Sequence, residues 1–197
     1  MSSESIETRS RILQAALDLL EVRQSKGVRM TDIAKQAGIS RQAVYLHFST
    51  RAELLIAATH YLDELKGSEE RLMASRSAKT GVERLDAFIK AWGAYIPEIY
   101  GSLKALLAMK DTDEAAAEAW RQRMQDVREG CEAAIKALEK DGMLASTYSP
   151  DQATDILWVM LSARNWEQLT IDCNWSQDKY IETLSSLAQH TFIGDNK

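Results

Sequence analysis

The sequence predicts an all-α protein, on two observations. Apolar residues recur at spacings of three and four along most of the chain, which is the period of an amphipathic helix, and no segment alternates in the manner of a strand. The 197 residues also include only nine glycines and two prolines, so little interrupts long helices. We expect about nine helices.

Four helices are expected in the N-terminal third, over about residues 5–23, 31–37, 41–47 and 51–66. Gly38 is placed to end the second, because glycine adopts positive φ without penalty. Ser40 is a good N-cap for the third. Thr50 and Glu53 have the spacing of a capping box, which predicts where the fourth begins.

The rest of the chain predicts five more helices, over about residues 80–95, 97–109, 112–140, 150–171 and 176–192. Pro97 is expected to separate the first two of these. Ser149, Pro150 and Gln152 together form a helix start signal. The polar segment 66–81 is expected to form a connection without a helix.

Charge is distributed unevenly along the chain. The net charge is −5, but residues 1–51 carry eight Lys or Arg against five Asp or Glu, which leaves −8 on the remainder. A modestly basic N-terminal segment followed by an acidic body is typical of a DNA-binding module joined to a second domain.

Composition excludes several other classes of protein. Cys131 and Cys173 are too few for a disulfide framework, and the three histidines show no metal-ligand spacing with them, so we expect no metal and no cofactor. We find neither an apolar run long enough to span a membrane nor a secretion signal in MSSESIETRSR, so a cytoplasmic location without a membrane partner is expected. No constellation of catalytic residues stands out.

Residues 30–51, MTDIAKQAGISRQAVYLHFSTR, have the spacing of a helix-turn-helix. Ala34 is the small residue required where the two helices cross, and Gly38 lies in the turn. Ile33, Ile39 and Val44 would pin the pair to the rest of the fold. The second helix of such a pair can enter the major groove of DNA, which is about 12 Å wide.

Residues 8–55 resemble the DNA-binding region of the TetR family of bacterial transcriptional regulators. The matching segments are RILQAALDLL in the first helix, TDIAKQAGIS through the turn, and AVYLHFSTRAELL after it. The resemblance implies an N-terminal three-helix DNA-binding domain over residues 5–55, with its helix-turn-helix at 30–49. It also implies a larger C-terminal ligand-binding and dimerisation domain over residues 56–197.

Three positions depart from the family pattern. Leu20 stands where the family often has phenylalanine, and Gln24 where it often has glycine. Arg29 replaces the usual Ser or Thr cap of the second helix, at a cost of about 1 kcal/mol unless another group replaces the cap. An arginine at this position could instead contact a phosphate.

The resemblance implies six DNA-contacting residues. Those placed at the backbone or groove edge are Thr31, Tyr45, His47 and Arg51, and those placed to read bases are Arg41 and Gln42. Arginine can pair with guanine and glutamine with adenine, each contributing about 1–3 kcal/mol of discrimination. Phosphate contact or solvation is the alternative for Arg41 and Gln42, and burial in the small domain for Tyr45 and His47.

The resemblance also implies a small-molecule pocket in the C-terminal domain. The candidate aromatic and thioether residues are Trp92, Tyr95, Trp120, Met124 and Trp158, with core packing as the alternative. Arg164 interrupts an apolar run, so it could be buried against an anionic ligand or form an intersubunit ion pair. The alternative for Arg164 is exposure to solvent.

The function implied is a homodimeric repressor that binds double-stranded DNA at a palindromic operator and is released by an unknown small-molecule effector. Its dimer would form through the last two helices. One alternative is a regulator of the same family that has no inducer or acts as an activator. Another is an all-helical enzyme or interaction protein whose helix-turn-helix is structural.

Overall fold

The computed structural model describes residues 3–23 and 27–194, and within them it shows helices and no strand. The α-helices are α1 Ser3–Arg23, α2 Met30–Ala37, α3 Arg41–His47, α4 Arg51–Leu65, α5 Ser68–Arg76, α6 Gly81–Met109, α7 Glu114–Lys140, α8 Pro150–Met160, α9 Ala163–Glu167 and α10 Gln177–Phe192. A π-helical turn, Gln168–Asp172, follows α9. The predicted all-α class is confirmed. No helix in these residues is long and apolar enough to cross a membrane.

The chain forms two compact units. The first contains α1 to α4 together with residues 99–124, and the second contains residues 67–98 and 125–194. The expected division into domains at residue 55 remains a prediction.

In the first unit α1 packs against α2 and α4, and α2 packs against α3. Ile33 and Val44, predicted to pin the helix pair, are fully buried, and Leu20 is equally buried despite departing from the family pattern. Gln24 lies outside the described residues. Gly38 adopts the left-handed conformation at φ 68° and ends α2 as predicted, and the N–H of Ile39 donates to the carbonyl of Ala34 at 3.0 Å.

The expected break at Pro97 is wrong, because α6 continues through this residue. Proline removes the N–H that would bond to the carbonyl four residues earlier, here that of Gly93. The Gln177 side chain supplies the missing donor, with its Nε2 2.5 Å from the Gly93 oxygen, and its Oε1 accepts from the Trp166 indole at 3.0 Å. A donor from another helix therefore satisfies the carbonyl that the proline leaves unbonded.

The single helix expected over 150–171 is also wrong, since it ends after Met160 and restarts at Ala163. The hydroxyl of Ser162 accepts from the N–H of Asn165 at 3.2 Å and caps the new helix. Serine offers the backbone this alternative bond, which competes with a continuous helix. The Trp92 indole donates to the Leu161 carbonyl at 2.8 Å, so an acceptor at the break is satisfied.

The segment 66–81 contains a helix that was not predicted from the sequence, α5. Its composition is polar and its residues are mostly exposed, so it lacks the apolar stripe from which helices were inferred. Two acidic residues in its first turn and Arg76 in its last complement the helix dipole.

Candidate DNA-binding interface

The outward face of α3 is set by a cap and two anchors. The Ser40 hydroxyl accepts from the Ala43 N–H at 3.0 Å and begins the helix as predicted. Val44 and Phe48, four residues apart, are both fully buried. With one face fixed in this way, the remaining side chains of this seven-residue helix must point sideways or outward.

The N-terminus of α4 is fixed by a related arrangement. The Thr50 hydroxyl accepts from the Glu53 N–H at 3.1 Å, as predicted. The Glu53 carboxylate accepts from the N–H of Ser49 at 2.8 Å and from its hydroxyl at 2.7 Å. These bonds, the Ser49 hydroxyl first, lower the pKa of Glu53. These caps fix the backbone at the start of α4 and therefore the position from which the Arg51 side chain extends.

A surface concavity of about 450 Å³ opens between α2, α3 and the start of α4. Four of the six predicted DNA-contacting residues line it, together with two others, and the full set is Arg29, Met30, Thr31, Arg41, Tyr45 and Arg51. Three guanidinium groups, an aliphatic hydroxyl and a phenol are the donors that bind phosphate oxygens in protein–DNA complexes. The concavity therefore has the chemistry of an anion-binding surface.

Arg41 and Tyr45 act as a pair on one flank of α3. An Nη atom of Arg41 lies 3.3 Å from the Tyr45 hydroxyl, and its guanidinium carbon lies 5.4 Å from the centre of the ring. Tyr45 is 41% exposed, so it is not the core tyrosine of the alternative interpretation. Stacking on the ring restricts the arginine side chain before any ligand arrives.

Arg51 is already engaged within the protein. It donates to the Val28 carbonyl at 3.1 Å and forms an ion pair with Asp113, in which the two side chains are 25% and 16% exposed. Asp113 also accepts from the Ala116 N–H at 3.1 Å, at the cap position of α7. A phosphate at Arg51 must therefore compete with a carboxylate for the same guanidinium.

Arg29, which stands in place of the usual cap, gives no side-chain hydrogen bond to the N-terminus of α2. It donates instead to Asp32 at 3.1 Å, and Arg23 donates to the same carboxylate at 2.6 Å. Their hydrogen bonds, that from Arg29 first, lower the pKa of Asp32. No side chain at the cap position competes with an anion for the first N–H groups of α2, and three-quarters of the Arg29 side chain is exposed.

The remaining predicted residues lie differently. Gln42 is exposed on α3 but does not line the concavity, and His47 is half-buried beside Phe48. Arg29 is not one of the six predicted contacts, although an arginine at this position was expected to be able to contact a phosphate. Leu46, an exposed leucine of α3, is not among the predicted contacts either. Its only signal in the sequence is an apolar residue that lies outside the core-facing stripe of the helix.

The ligand-pocket candidates fall in both compact units. In the second unit, Trp92 and Tyr95 are buried and meet edge to face with ring centres 6.2 Å apart, Trp158 is half-buried, and Arg164 is exposed. In the first unit, Trp120 and Met124 are half-buried. No three metal-ligating side chains in the described residues come together in a potential metal site.

Comparison with known proteins agrees with this geometry. The family model for bacterial regulatory proteins of the tetR family matches residues 12–58. The chain is similar to the HTH-type transcriptional regulator CymR of Pseudomonas putida, with 25% identity over 180 residues that cover 90% of this chain and 85% of that one.

Two solved structures have the same fold. NalD, the secondary repressor of the MexAB-OprM multidrug efflux pump in Pseudomonas aeruginosa, superposes with a TM-score of 0.71 at 22% identity over 99% of this chain and 100% of that one. A protein from Saccharomonospora viridis in complex with choline also has a TM-score of 0.71, at 19% identity over 95% of this chain and 98% of that one. The helix-turn-helix and the family match together show that residues 12–58 form a DNA-binding domain of the TetR family of bacterial transcriptional regulators.

Proposed function

We propose that this regulator is a homodimeric repressor that binds a palindromic operator and is released from it by a small molecule. The observation that carries the proposal is the concavity lined by Arg29, Thr31, Arg41, Tyr45 and Arg51 beside a capped and anchored α3. Its donors match a phosphate backbone, and α3 has the size and exposure of a recognition helix. Such a protein acts where the DNA is, in the cytoplasm.

On DNA, α3 enters the major groove and the concavity faces a phosphate. Thr31 and Arg29 lie at the N-terminus of α2, where backbone N–H groups and the helix dipole also favour an anion. Tyr45 donates its hydroxyl to the same backbone. In this docking, phosphate oxygens accept hydrogen bonds from the N–H groups at the N-terminus of α2, which lacks a side-chain cap. The complex thereby compensates for the loss of the usual Ser or Thr cap at Arg29.

Sequence discrimination would come from the two predicted base-reading residues. Arg41 and Gln42 are both exposed on α3, at its N-terminal end, which is the end that contacts bases in helix-turn-helix proteins. Arg41 suits guanine and Gln42 suits adenine. Because Arg41 also lines the concavity, phosphate contact remains the alternative for this residue.

Dimerisation is assigned to the C-terminal elements. Val159 on α8 and Leu187 on α10 are 59% and 49% exposed, and Ile171 in the π-helical turn is 48% exposed. Two-fold association through this surface would cover these side chains and present two recognition helices to half-sites at least one helical turn apart. Arg164, exposed between α8 and the π-helical turn, is available to an ion pair with the partner.

The effector is proposed to bind among the C-terminal helices and to favour a state of the dimer with lower operator affinity. The choline complex of the structurally similar protein supports a small-molecule site in this fold. Trp92, Tyr95 and Trp158, all in the second unit, are the candidates for its walls, whereas the candidates Trp120 and Met124 belong to the first unit. Thermal-shift screening of cationic and anionic aromatic compounds, followed by their effect on DNA binding, tests this part of the proposal.

The DNA site is tested by Tyr45→Ala and Tyr45→Phe on the region upstream of the protein's own gene. Loss of a hydrogen bond to a charged phosphate costs about 1.5–3 kcal/mol, so Tyr45→Ala is expected to weaken binding by about tenfold or more. Tyr45→Phe removes only the hydroxyl, so it distinguishes the contribution of the hydroxyl to binding from that of the ring. His60→Ala, an exposed change on α4 outside the concavity, is the control. Equal binding by wild type and Tyr45→Ala would overturn the site assignment.

A further inference from the structure

Leu46 is the most exposed large apolar side chain on α3, with 83% of its surface accessible. Its neighbours in sequence are a tyrosine that lines the concavity and a half-buried histidine. A single exposed leucine is ordinary on a protein surface and by itself indicates nothing. Its position on the helix is what makes it informative.

With 3.6 residues per turn, Leu46 lies about 180° around the helix from the midpoint between the two buried anchors, Val44 and Phe48. Gln42 lies about 140° from that midpoint, one turn earlier on the same side. Arg41 and Tyr45 lie on the flank that faces the concavity. The outermost line of the helix, which would reach deepest into a groove, is therefore formed by Gln42 and Leu46.

The chemistry of these two side chains differs. Gln42 offers an amide that can bond to adenine, whereas Leu46 can neither donate nor accept a hydrogen bond. The base feature in the major groove that suits an aliphatic side chain is the 5-methyl group of thymine.

The spacing of the two side chains limits which base pairs they can reach. Side chains at i and i+4 are separated by about 5–6 Å at Cβ. Consecutive base pairs rise by about 3.4 Å, so the two residues would address base pairs no more than about two steps apart.

We infer that Leu46 is a specificity-determining residue that packs against a thymine 5-methyl group, within about two base pairs of the base contacted by Gln42. The inference rests on the proposed function, since it requires α3 to lie in the major groove. It goes beyond that function in naming an apolar contact and the base that it selects. Each half-site should then contain an A·T pair whose thymine is recognised through its methyl group.

The test compares thymine with uracil, which lacks only the 5-methyl group. A duplex selected from a random library by the wild-type protein is amplified with either dTTP or dUTP, and the affinity for each form is measured. Loss of one buried methyl is expected to weaken wild-type binding about fourfold per half-site, and about fifteenfold for a duplex with two half-sites. Single thymine-to-uracil replacements in synthetic duplexes then locate the base.

The decisive comparison is with Leu46→Ala. Because the side chain is exposed, this variant should retain its fold, and it should bind the thymine and uracil forms with nearly equal affinity. Leu46→Met, which replaces the branched side chain with an unbranched apolar one of similar size, should retain most of the preference for thymine. Leu65→Ala, at a leucine of α4 that is 53% exposed, is the matched control and should retain the full preference.

Two failures are distinguishable. If the wild-type protein selects no duplex, the proposed DNA-binding function fails. If it selects a duplex but the difference between thymine and uracil is the same for wild type and Leu46→Ala, DNA binding stands and the role of Leu46 is overturned.

Discussion

Replacement of Asp113 should reveal how firmly Arg51 is held within the protein. Asp113 forms an ion pair with Arg51 and caps α7 through the Ala116 N–H. Loss of a cap costs about 1 kcal/mol, and loss of a hydrogen bond to a charged group about 1.5–3 kcal/mol. With both side chains at least three-quarters covered, Asp113→Ala should lower the free energy of unfolding by about 2–4 kcal/mol.

Asp113→Asn separates the two contributions. Asparagine caps a helix about as well as aspartate, so this variant should lose only the charge, about 1–2 kcal/mol. Urea unfolding at neutral pH, followed by tryptophan fluorescence, measures both variants. A double-mutant cycle with Arg51→Met should give a coupling energy of about 1 kcal/mol or more. A coupling below about 0.3 kcal/mol would refute the ion pair as a stabilising contact.

The same variants bear on DNA binding. If a phosphate must draw Arg51 away from Asp113, then Asp113→Asn should strengthen operator binding and steepen its dependence on salt by about one unit per half-site. Arg51→Met should weaken binding across all sequences and make the slope shallower. Weaker binding by Asp113→Asn, in a protein shown to be folded, would contradict this competition.

Three further outcomes are expected. Gln177→Ala should lower the free energy of unfolding by about 2–4 kcal/mol, measured by urea titration, because it removes the donor to the Gly93 carbonyl and the acceptor for an indole. The folded-state pKa of Glu53 is lowered below its ordinary 4.5, so its contribution is present above that pH and is lost as pH falls through the lowered value. Glu53→Gln should therefore flatten the acid limb of stability against pH, and an unchanged acid limb would contradict the capping role. Burial raises the pKa of Cys131 to about 12, whereas Cys173 is exposed, so a thiol reagent should modify one cysteine in the native protein and two in denaturant.

The N-terminal helices illustrate what short-range signals can predict. The cap at Ser40, the left-handed Gly38 and the boundaries of α3 all follow the sequence, because each depends on hydrogen bonds between residues three to five apart. The buried pair Val44 and Phe48 follows from helical spacing alone. Four of the six predicted contacts line one concavity, because the helices that carry them were predicted at the correct positions in the chain.

The errors arise where a residue depends on a distant partner. Pro97 carries a strong local signal for a helix break, but the donor that satisfies Gly93 comes from Gln177, 84 residues away from that glycine in the chain. Ser162 gives the opposite error, because a mid-helix serine can face solvent or cap a new helix, and only the surrounding packing selects between them.

The sequence by itself determined the all-α class, the resemblance of the helix-turn-helix to the TetR family and the core-facing side of that helix pair, because helical period and caps are local properties of the chain. Tertiary structure alone decided that Arg51 is paired with Asp113, 62 residues later, and that 83% of the Leu46 side chain is exposed. Both depend on how helices pack, which sets the neighbours and the exposure of a side chain, and neither quantity can be obtained from spacing.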